Sequence, residues 1–188
     1  MANVTSDLTV GKISRLIRSI AIPAVLGTFF QTLYNIVDVN FAGMISPYAL
    51  TGISKVFPVY FVIIALSAGL SIGTTSLVSN YLGTKNFDKA SLLFSQSLIV
   101  AIFFATFVAS FGIFIAPVIL NLLNTDQYSL VFAVDYINVI FLGSIIFFLL
   151  VTSNAALTAR GDTKSYRNVL IFGFFLNILL NPLSVSYT

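Results

Sequence analysis

The stretch IRSIAIPAVLGTFFQTLYNIVDVNFAG, from Ile17 to Gly43, decides the fold of this chain. It is longer than the about 20 mostly apolar residues that a membrane-spanning helix needs. Near its end stands Asp38, and a charge at the centre of such a helix costs about 2.5–3.5 kcal/mol on insertion scales. Gln31 and Asn35 precede Asp38 at helical spacing, so the three share one helix face. This polar stripe indicates a site for ions or polar solutes, although an acid near the outer headgroups would also fit.

The composition is that of an integral membrane protein. Of the 188 residues, 58% are hydrophobic and 8% are charged, and the mean hydropathy is +1.02, more apolar surface than a soluble domain of this length could bury. All six carboxylates are Asp, and the chain has no Glu, His, Trp or Cys. Without His or Cys, a zinc site is not expected, and we predict no metal cofactor. The basic residues that give the net charge of +3 lie between the apolar segments. This placement is a signal of orientation in the membrane and does not indicate a nucleic-acid partner.

Five apolar segments are long enough to cross the membrane, so we predict an all-α integral membrane protein with a single membrane domain, residues 1–188. The five helices are expected at about 17–42, 56–78, 92–120, 130–158 and 169–185. We expect Pro117 to break the third helix. Turn signals separate the segments at Gly43–Pro47, Gly83–Asp88, Asn121–Ser129 and Gly161–Lys164.

The basic residues predict the orientation in the membrane. If five helices alternate, eight basic residues fall on one side: Lys12, Arg15, Arg18, Lys85, Lys89, Arg160, Lys164 and Arg167. Only Lys55 falls on the other side. Because Lys and Arg collect on the cytoplasmic side, we predict a multi-pass protein of the cytoplasmic membrane, with its N-terminus in the cytoplasm and its C-terminus outside.

Two helix features have a structural and a functional interpretation. Pro23, early in the first helix, removes one backbone hydrogen bond and tends to kink the helix. It is either a hinge that bends as a site opens and closes, or a packed kink. On the second helix, Gly69 and Gly73 form a G-x-x-x-G pair, which predicts close contact with another helix.

Asparagines supply the remaining polar groups of the apolar segments. Asn177 and Asn181 lie four residues apart on the fifth helix, and Pro182 follows them and frees a further backbone carbonyl. With Asp38 they would form a small oxygen-lined cation site, but hydrogen bonding between helices would explain them equally well. Asn154, near the inner end of the fourth helix, would either line a cavity or bond a neighbouring helix.

Four short motifs occur in order along the chain. They are Ile22-Pro23 with Asn35-Ile36-Val37-Asp38 and Phe41-Ala42-Gly43; Gly83-Thr84-Lys85-Asn86 with Ala90; Asn154-Ala155 with Arg160-Gly161-Asp162-Thr163-Lys164; and Asn177 with Asn181-Pro182-Leu183. In this order and topology, the chain resembles the multidrug and toxic compound extrusion (MATE) transporters, from about Leu8 to Leu183.

The resemblance implies a fold of twelve helices in two six-helix lobes, of which this chain would supply most of one. It implies a transporter and not an enzyme: an antiporter in the lipid bilayer that exports small organic cations or drugs. Inward H⁺ or Na⁺ would drive it, with no other cofactor. Asp38, Asn177 and Asn181 align with the family's cation-coupling cluster. For the substrate cavity we expect Gln31, Tyr34, Asn35 and Asn154.

The chain departs from the family pattern in two respects. Asn181 stands where many relatives carry Asp, which removes one titratable group and leaves the choice between H⁺ and Na⁺ open. Five helices are also under half of the expected transporter, so a C-terminal half would be missing and we expect no transport by this chain alone. The alternatives are a non-transporting truncated fragment, a half-transporter that works as a dimer, and a flippase for lipid-linked sugars, which related branches handle.

Overall fold

The computed structural model describes residues 12–123 and 125–186, with side chains as far as Pro182. This part of the chain folds into five α-helices: α1 Ile13–Ile45, α2 Pro47–Gly83, α3 Phe87–Leu122, α4 Gln127–Ala159 and α5 Lys164–Ser186. The predicted all-α fold with five helices is confirmed. The predicted resemblance begins at about Leu8, which lies outside the described residues, as does Thr188. The side chain of Leu183, where the resemblance ends, also lies outside them.

Each helix is longer than the apolar segment predicted for it, because the backbone hydrogen bonds of the helix continue through the polar residues near its ends. The predicted turn from Gly43 to Pro47 shrinks to Ser46 alone, and Gly43 lies inside α1. Ser46 ends one helix and caps the next, since its side chain accepts a hydrogen bond of 3.0 Å from the Ala49 backbone N–H. Pro47 takes the first position of α2, where its missing N–H costs nothing.

The predicted break at Pro117 is wrong, because α3 runs without interruption from Phe87 to Leu122. A proline removes only one N–H from the ladder, and in a membrane the remaining backbone groups gain most by staying helical. Side chains also supply donors near the end of this helix. The Asn121 side-chain amide donates to the Pro117 carbonyl at 2.9 Å, and the Lys55 ammonium donates to the Leu123 carbonyl at 3.0 Å.

Helices α1 to α4 are each long and apolar enough to cross a membrane, by length and composition. The same criterion, applied to the described residues, does not include α5, whose first five residues, 164–168, are polar. Large apolar side chains cover the outside of the bundle. On α3, for example, Phe103 and Phe114 are 67% and 79% exposed. Such a surface fits contact with lipid chains.

The connections between helices fall at two ends of the bundle, because successive helices run in opposite directions. We call one end the Ser46 end; it carries the α1–α2 connection and the α3–α4 connection around residues 123–126. The other is the Arg160 end, with the connections at residues 84–86 and 160–163. At the Arg160 end Gly161 has φ +77°, the left-handed conformation that commonly terminates a helix. The charge pattern predicts that the Arg160 end faces the cytoplasm.

Helices α2, α3 and α4 form the packed core of the structure. Phe141 and Phe148 of α4 are fully buried there, together with Ile63 of α2. Gly112 of α3 makes room for the ring of Phe141, since a Cβ at this position would overlap the ring. In a bilayer this close fit stabilises the helices mainly through van der Waals packing, because lipid chains are as apolar as the side chains.

Helices α1 and α5 form a parallel pair that contacts the other three helices less extensively. At the Arg160 end the Thr163 hydroxyl donates to the Ile20 carbonyl at 3.2 Å. Toward the Ser46 end the Asn181 amide donates to Asp38 at 3.0 Å. Both pairs are 143 residues apart in sequence, so the two helices keep one register along their contact.

The prediction that the G-x-x-x-G pair makes close contact with another helix is wrong among the described residues. No heavy atom of a neighbouring residue would lie within 4 Å of a Cβ at Gly69 or Gly73. The close approach occurs instead at Gly52, where a Cβ would lie 2.8 Å from the Ser129 carbonyl oxygen and 3.0 Å from the Ala133 nitrogen. Two small residues at this spacing permit close contact, but they do not show which helix face has a partner.

Candidate cation site between α1 and α5

The site is a cluster of three polar side chains on two helices that are far apart in sequence. Asp38 lies on α1, seven residues before that helix ends at Ile45. The Asn177 side-chain amide on α5 donates to Asp38 Oδ1 at 2.7 Å, and the Asn181 amide donates to the same oxygen at 3.0 Å. Helical spacing places the two asparagines one above the other, so both reach one carboxylate.

The asparagines also bond one another, since Asn181 Nδ2 donates to Asn177 Oδ1 at 3.1 Å. Asn177 is only 8% exposed, while Asp38 and Asn181 are half-buried. Asp38 is the only charged member, and no ion pair to it is found among the described residues. The ionised cluster therefore carries one negative charge, which the two amide donors partly compensate.

This arrangement can accept a small cation. The second carboxylate oxygen, Oδ2, receives no hydrogen bond among the described residues. If the amides of Asn177 and Asn181 rotate, their carbonyl oxygens add to the carboxylate to give the hard oxygen ligands that small cations prefer. Among the described residues there is no group of three or more His, Cys, Asp or Glu side chains that could hold a metal ion. The cluster thus suits a proton or a weakly held monovalent ion.

Three tyrosines from three helices interact electrostatically with this cluster or with one another. The Tyr34 hydroxyl on α1 lies beside the Asn177 side chain and within electrostatic reach of Asp38. Tyr60 on α2 interacts with Tyr34, and Tyr136 on α4 interacts with Tyr60 and with Asp38. The cluster therefore faces the space between the α1–α5 pair and the α2–α4 core.

The residues predicted to line the substrate cavity lie in different places in the structure. Tyr34 lies next to the cluster, whereas Gln31 and Asn35 are exposed and form no side-chain hydrogen bond among the described residues. Asn154 is half-buried near the Arg160 end of α4, and the Asp38 cluster lies toward the Ser46 end. The two are thus in opposite halves of the bundle, which spacing along the chain alone does not reveal.

Tyr60 and Tyr136 were missed by sequence reasoning. Both lie in long apolar helices, where a tyrosine is as easily explained by packing or by the membrane interface. No spacing rule joins residues on α2 and α4 to Asp38 on α1. Only the three-dimensional arrangement of the helices brings Tyr136 within electrostatic range of Asp38, and Tyr60 within range of Tyr34.

Pro23 lies inside α1 and is buried, and α1 continues on both sides of it. Asp38 follows 15 residues later, about 22 Å along the helix axis. Between them Gly27 contacts α5, where a Cβ would lie 3.2 Å from Leu170 Cδ1 and 3.6 Å from Arg167 Cα. The end of α1 that carries Asp38 is thus separated from Pro23 by a segment packed against α5.

The bundle of long apolar helices and its intramembrane acid define a multi-pass membrane protein. The chain belongs to the MatE family, whose family model matches residues 23–183. This confirms the family resemblance predicted from the four motifs. Members of the family are transporters.

Two relatives illustrate the range of named functions. The chain is 25% identical to the FAD transporter of Shewanella oneidensis, over 92% of this chain and 38% of that protein. It is 26% identical to the multidrug export protein MepA of Staphylococcus saprophyticus, over 85% of this chain and 39% of that protein. The chain therefore spans less than half the length of these relatives.

Solved structures of transporters show the same fold. A MOP superfamily transporter from Pyrococcus furiosus matches with a TM-score of 0.90 and 26% identity, over 97% of this chain and 40% of that one. An outward-facing multidrug resistance MATE family transporter gives the same TM-score and identity, over 97% of this chain and 41% of that one.

Proposed function

We propose that this chain is the N-terminal part of a cation-coupled efflux antiporter, which exports small organic cations or drugs in exchange for inward H⁺ or Na⁺. The observation that carries the proposal is the hydrogen-bonded cluster of Asp38, Asn177 and Asn181. An acid at this depth in an apolar helix is costly unless it has a function or a partner. Here its described partners are neutral, so the charge stays available to a cation.

The coupling step would act through the α1–α5 pair. Ionised Asp38 attracts the amide donors of Asn177 and Asn181, and a bound proton or Na⁺ weakens that attraction by neutralising the carboxylate. Occupancy of the site would thus change how the end of α1 packs against α5. Pro23 would be the hinge that allows this movement. This movement is supported by solved structures of a MATE in a bent and in a straight conformation.

The chemistry of the site favours a cationic substrate. Asp38 provides negative charge, and the rings of Tyr34, Tyr60 and Tyr136 present π faces that attract organic cations. One relative is named as a transporter of FAD, whose phosphates are anionic. No basic side chain bonds the cluster among the described residues, so an anion would find no charge partner there. The names of two other relatives, a probable multidrug resistance protein and a multidrug export protein, agree better with this chemistry.

Alternating access requires two halves that move around a central site. Under this proposal the present chain supplies most of one half, and a second half completes the transporter. The Arg160 end would face the cytoplasm, as the basic residues predict.

The test is ion-driven dye efflux by a chimera that joins this chain to the remainder of the S. saprophyticus MepA relative. Separate pH and Na⁺ gradients identify the coupling ion. Asp38→Asn should abolish gradient-driven efflux without reducing the amount of inserted protein. Asp135→Asn, an exposed acid on α4, is the matched control and should export like the parent. Efflux by Asp38→Asn at the rate of the parent would contradict the proposal.

A further inference from the structure

A second polar site lies at the Arg160 end of the bundle, on the side opposite to the Asp38 cluster. Here α2, α3 and α4 surround an open groove of about 290 Å³. Its floor is apolar and includes Val78, Ala90, Phe94 and Ala156. Arg160 stands at the rim, at the residue where α4 ends. The groove therefore combines an apolar surface inside the membrane with a positive charge at its boundary.

The polar groups of this groove have no protein partner among the described residues. The Arg160 guanidinium makes no hydrogen bond or ion pair there, although its backbone N–H bonds the last turn of α4. The hydroxyls of Ser91 and Ser153, which also line the groove, are likewise unpaired. By contrast, the hydroxyls of Ser95 and Ser97 nearby on α3 donate to carbonyls of their own helix.

The spacing of these groups fits one kind of molecule. Ser153 lies seven residues before Arg160, which places it about 10 Å deeper along α4. A phospholipid presents an anionic phosphate at the membrane boundary, ester carbonyls a little deeper, and acyl chains below them. Arginine binds phosphate through two parallel hydrogen bonds, and a serine hydroxyl can donate to an ester carbonyl.

We propose that this groove binds an anionic glycerophospholipid. Arg160 holds the phosphate, Ser91 and Ser153 donate to the ester carbonyls, and one acyl chain lies over the apolar floor. The surrounding charge favours an anionic over a zwitterionic lipid, because Lys85, Lys89, Lys164 and Arg167 also lie at or near this end. The site is independent of the cation cluster and requires neither transport nor a second half.

The experiment measures lipid binding to the purified 188-residue chain by native mass spectrometry, with phosphatidylglycerol or phosphatidylcholine added. The parent should bind phosphatidylglycerol more tightly. Arg160→Gln should weaken phosphatidylglycerol binding about fivefold, the usual effect of one basic group at a membrane surface. Arg18→Gln removes the same charge from an exposed position on α1 outside the groove, and should bind like the parent.

A second variant tests the groove without changing the charge. Ser153 is exposed, so Ser153→Phe should fold normally while its ring fills the seat of the acyl chain. It should weaken the binding of both lipids, and circular dichroism checks that the helices are intact. Equal effects of Arg160→Gln and Arg18→Gln would show diffuse attraction and overturn the proposal. Binding by Ser153→Phe at the affinity of the parent would also overturn it.

Discussion

Asp38 on α1 and Asn177 on α5 are joined by a hydrogen bond of 2.7 Å, although 139 residues separate them in sequence. The bond lies between two parallel helices that contact the remaining bundle only lightly. Any ion that neutralises Asp38 therefore acts on both helices at once. This relationship connects the charge of one side chain to the packing of a helix pair.

The glycines provide a test of the packing. Gly52→Ala should destabilise the chain by about 1–3 kcal/mol, because the new Cβ would press on the backbone of α4 at Ser129 and Ala133. Gly69→Ala is the matched control in the same helix, and it should stabilise by up to about 1 kcal/mol, since Ala is the better helix former and the space is open. Thermal unfolding in detergent measures both. Equal stabilities of the two variants would contradict the described α2–α4 contact.

Lys55 should contribute to stability and not only to topology. Its ammonium bonds the Leu123 carbonyl at the C-terminus of α3, where a positive charge is favourable. Lys55→Met should lower the free energy of unfolding by about 1 kcal/mol, the usual worth of such a partly exposed contact. Lys85→Met is the control, since the Lys85 side chain has no described partner. Equal losses of stability in the two variants would contradict a stabilising hydrogen bond from Lys55 to the end of α3.

The connection between α4 and α5 should be sensitive to acid. Hydrogen bonds from the Ser165 side chain and backbone hold the pKa of Asp162 below its usual value of 3.8, with smaller help from Lys164. A lowered carboxyl pKa contributes stability that is present above pH 3.8 and is lost as the pH falls through the folded value. The protection factor for amide hydrogen exchange at the start of α5, which corrects for the intrinsic pH dependence of exchange, should therefore fall in this acidic range. In Asp162→Ala the protection factor should be low already at neutral pH, and an unchanged protection factor in that variant would contradict a stabilising role of the Asp162–Ser165 hydrogen bonds.

The orientation in the membrane is open to direct measurement. Reporter fusions at Lys85 and at Asp126 lie in connections at opposite ends of the bundle. The charge pattern predicts a cytoplasmic signal at Lys85 and an external signal at Asp126. The reversed result would overturn the predicted topology and would place the Arg160 groove in the outer leaflet.

The number of helices was predictable because each apolar run is long enough to span a bilayer. Their ends were less predictable, since Ser46 caps α2 ten residues before its apolar segment was expected to start at Val56. Pro117 shows a related limit. A proline weakens a helix locally, but hydrogen bonding in the membrane environment decides whether the helix continues.

The candidate site was predictable in part. The spacing of Asn177 and Asn181 puts both on one face, and the family motifs associate them with Asp38, which the structure places within hydrogen-bonding distance. Sequence spacing says nothing about residues on other helices, so Tyr60 and Tyr136 were missed. Asn154 was assigned to one substrate cavity with Tyr34, although Tyr34 lies beside the Asp38 cluster and Asn154 lies in the other half of the bundle. The orientation of the amides, with nitrogen atoms toward Asp38, also depends on three-dimensional geometry.

The most direct test of the central claim is cation binding at Asp38 in the purified chain. Thermal unfolding is compared in NaCl and in KCl at equal ionic strength, at neutral and at mildly acidic pH, for the parent, Asp38→Asn and Asp135→Asn. A cation that binds only the folded chain raises its stability in proportion to the logarithm of ion concentration. We predict that Na⁺ or acid changes the stability of the parent and of Asp135→Asn in a way that Asp38→Asn does not show. The same change in stability of all three chains, with Na⁺ and with acid, would contradict cation binding at Asp38.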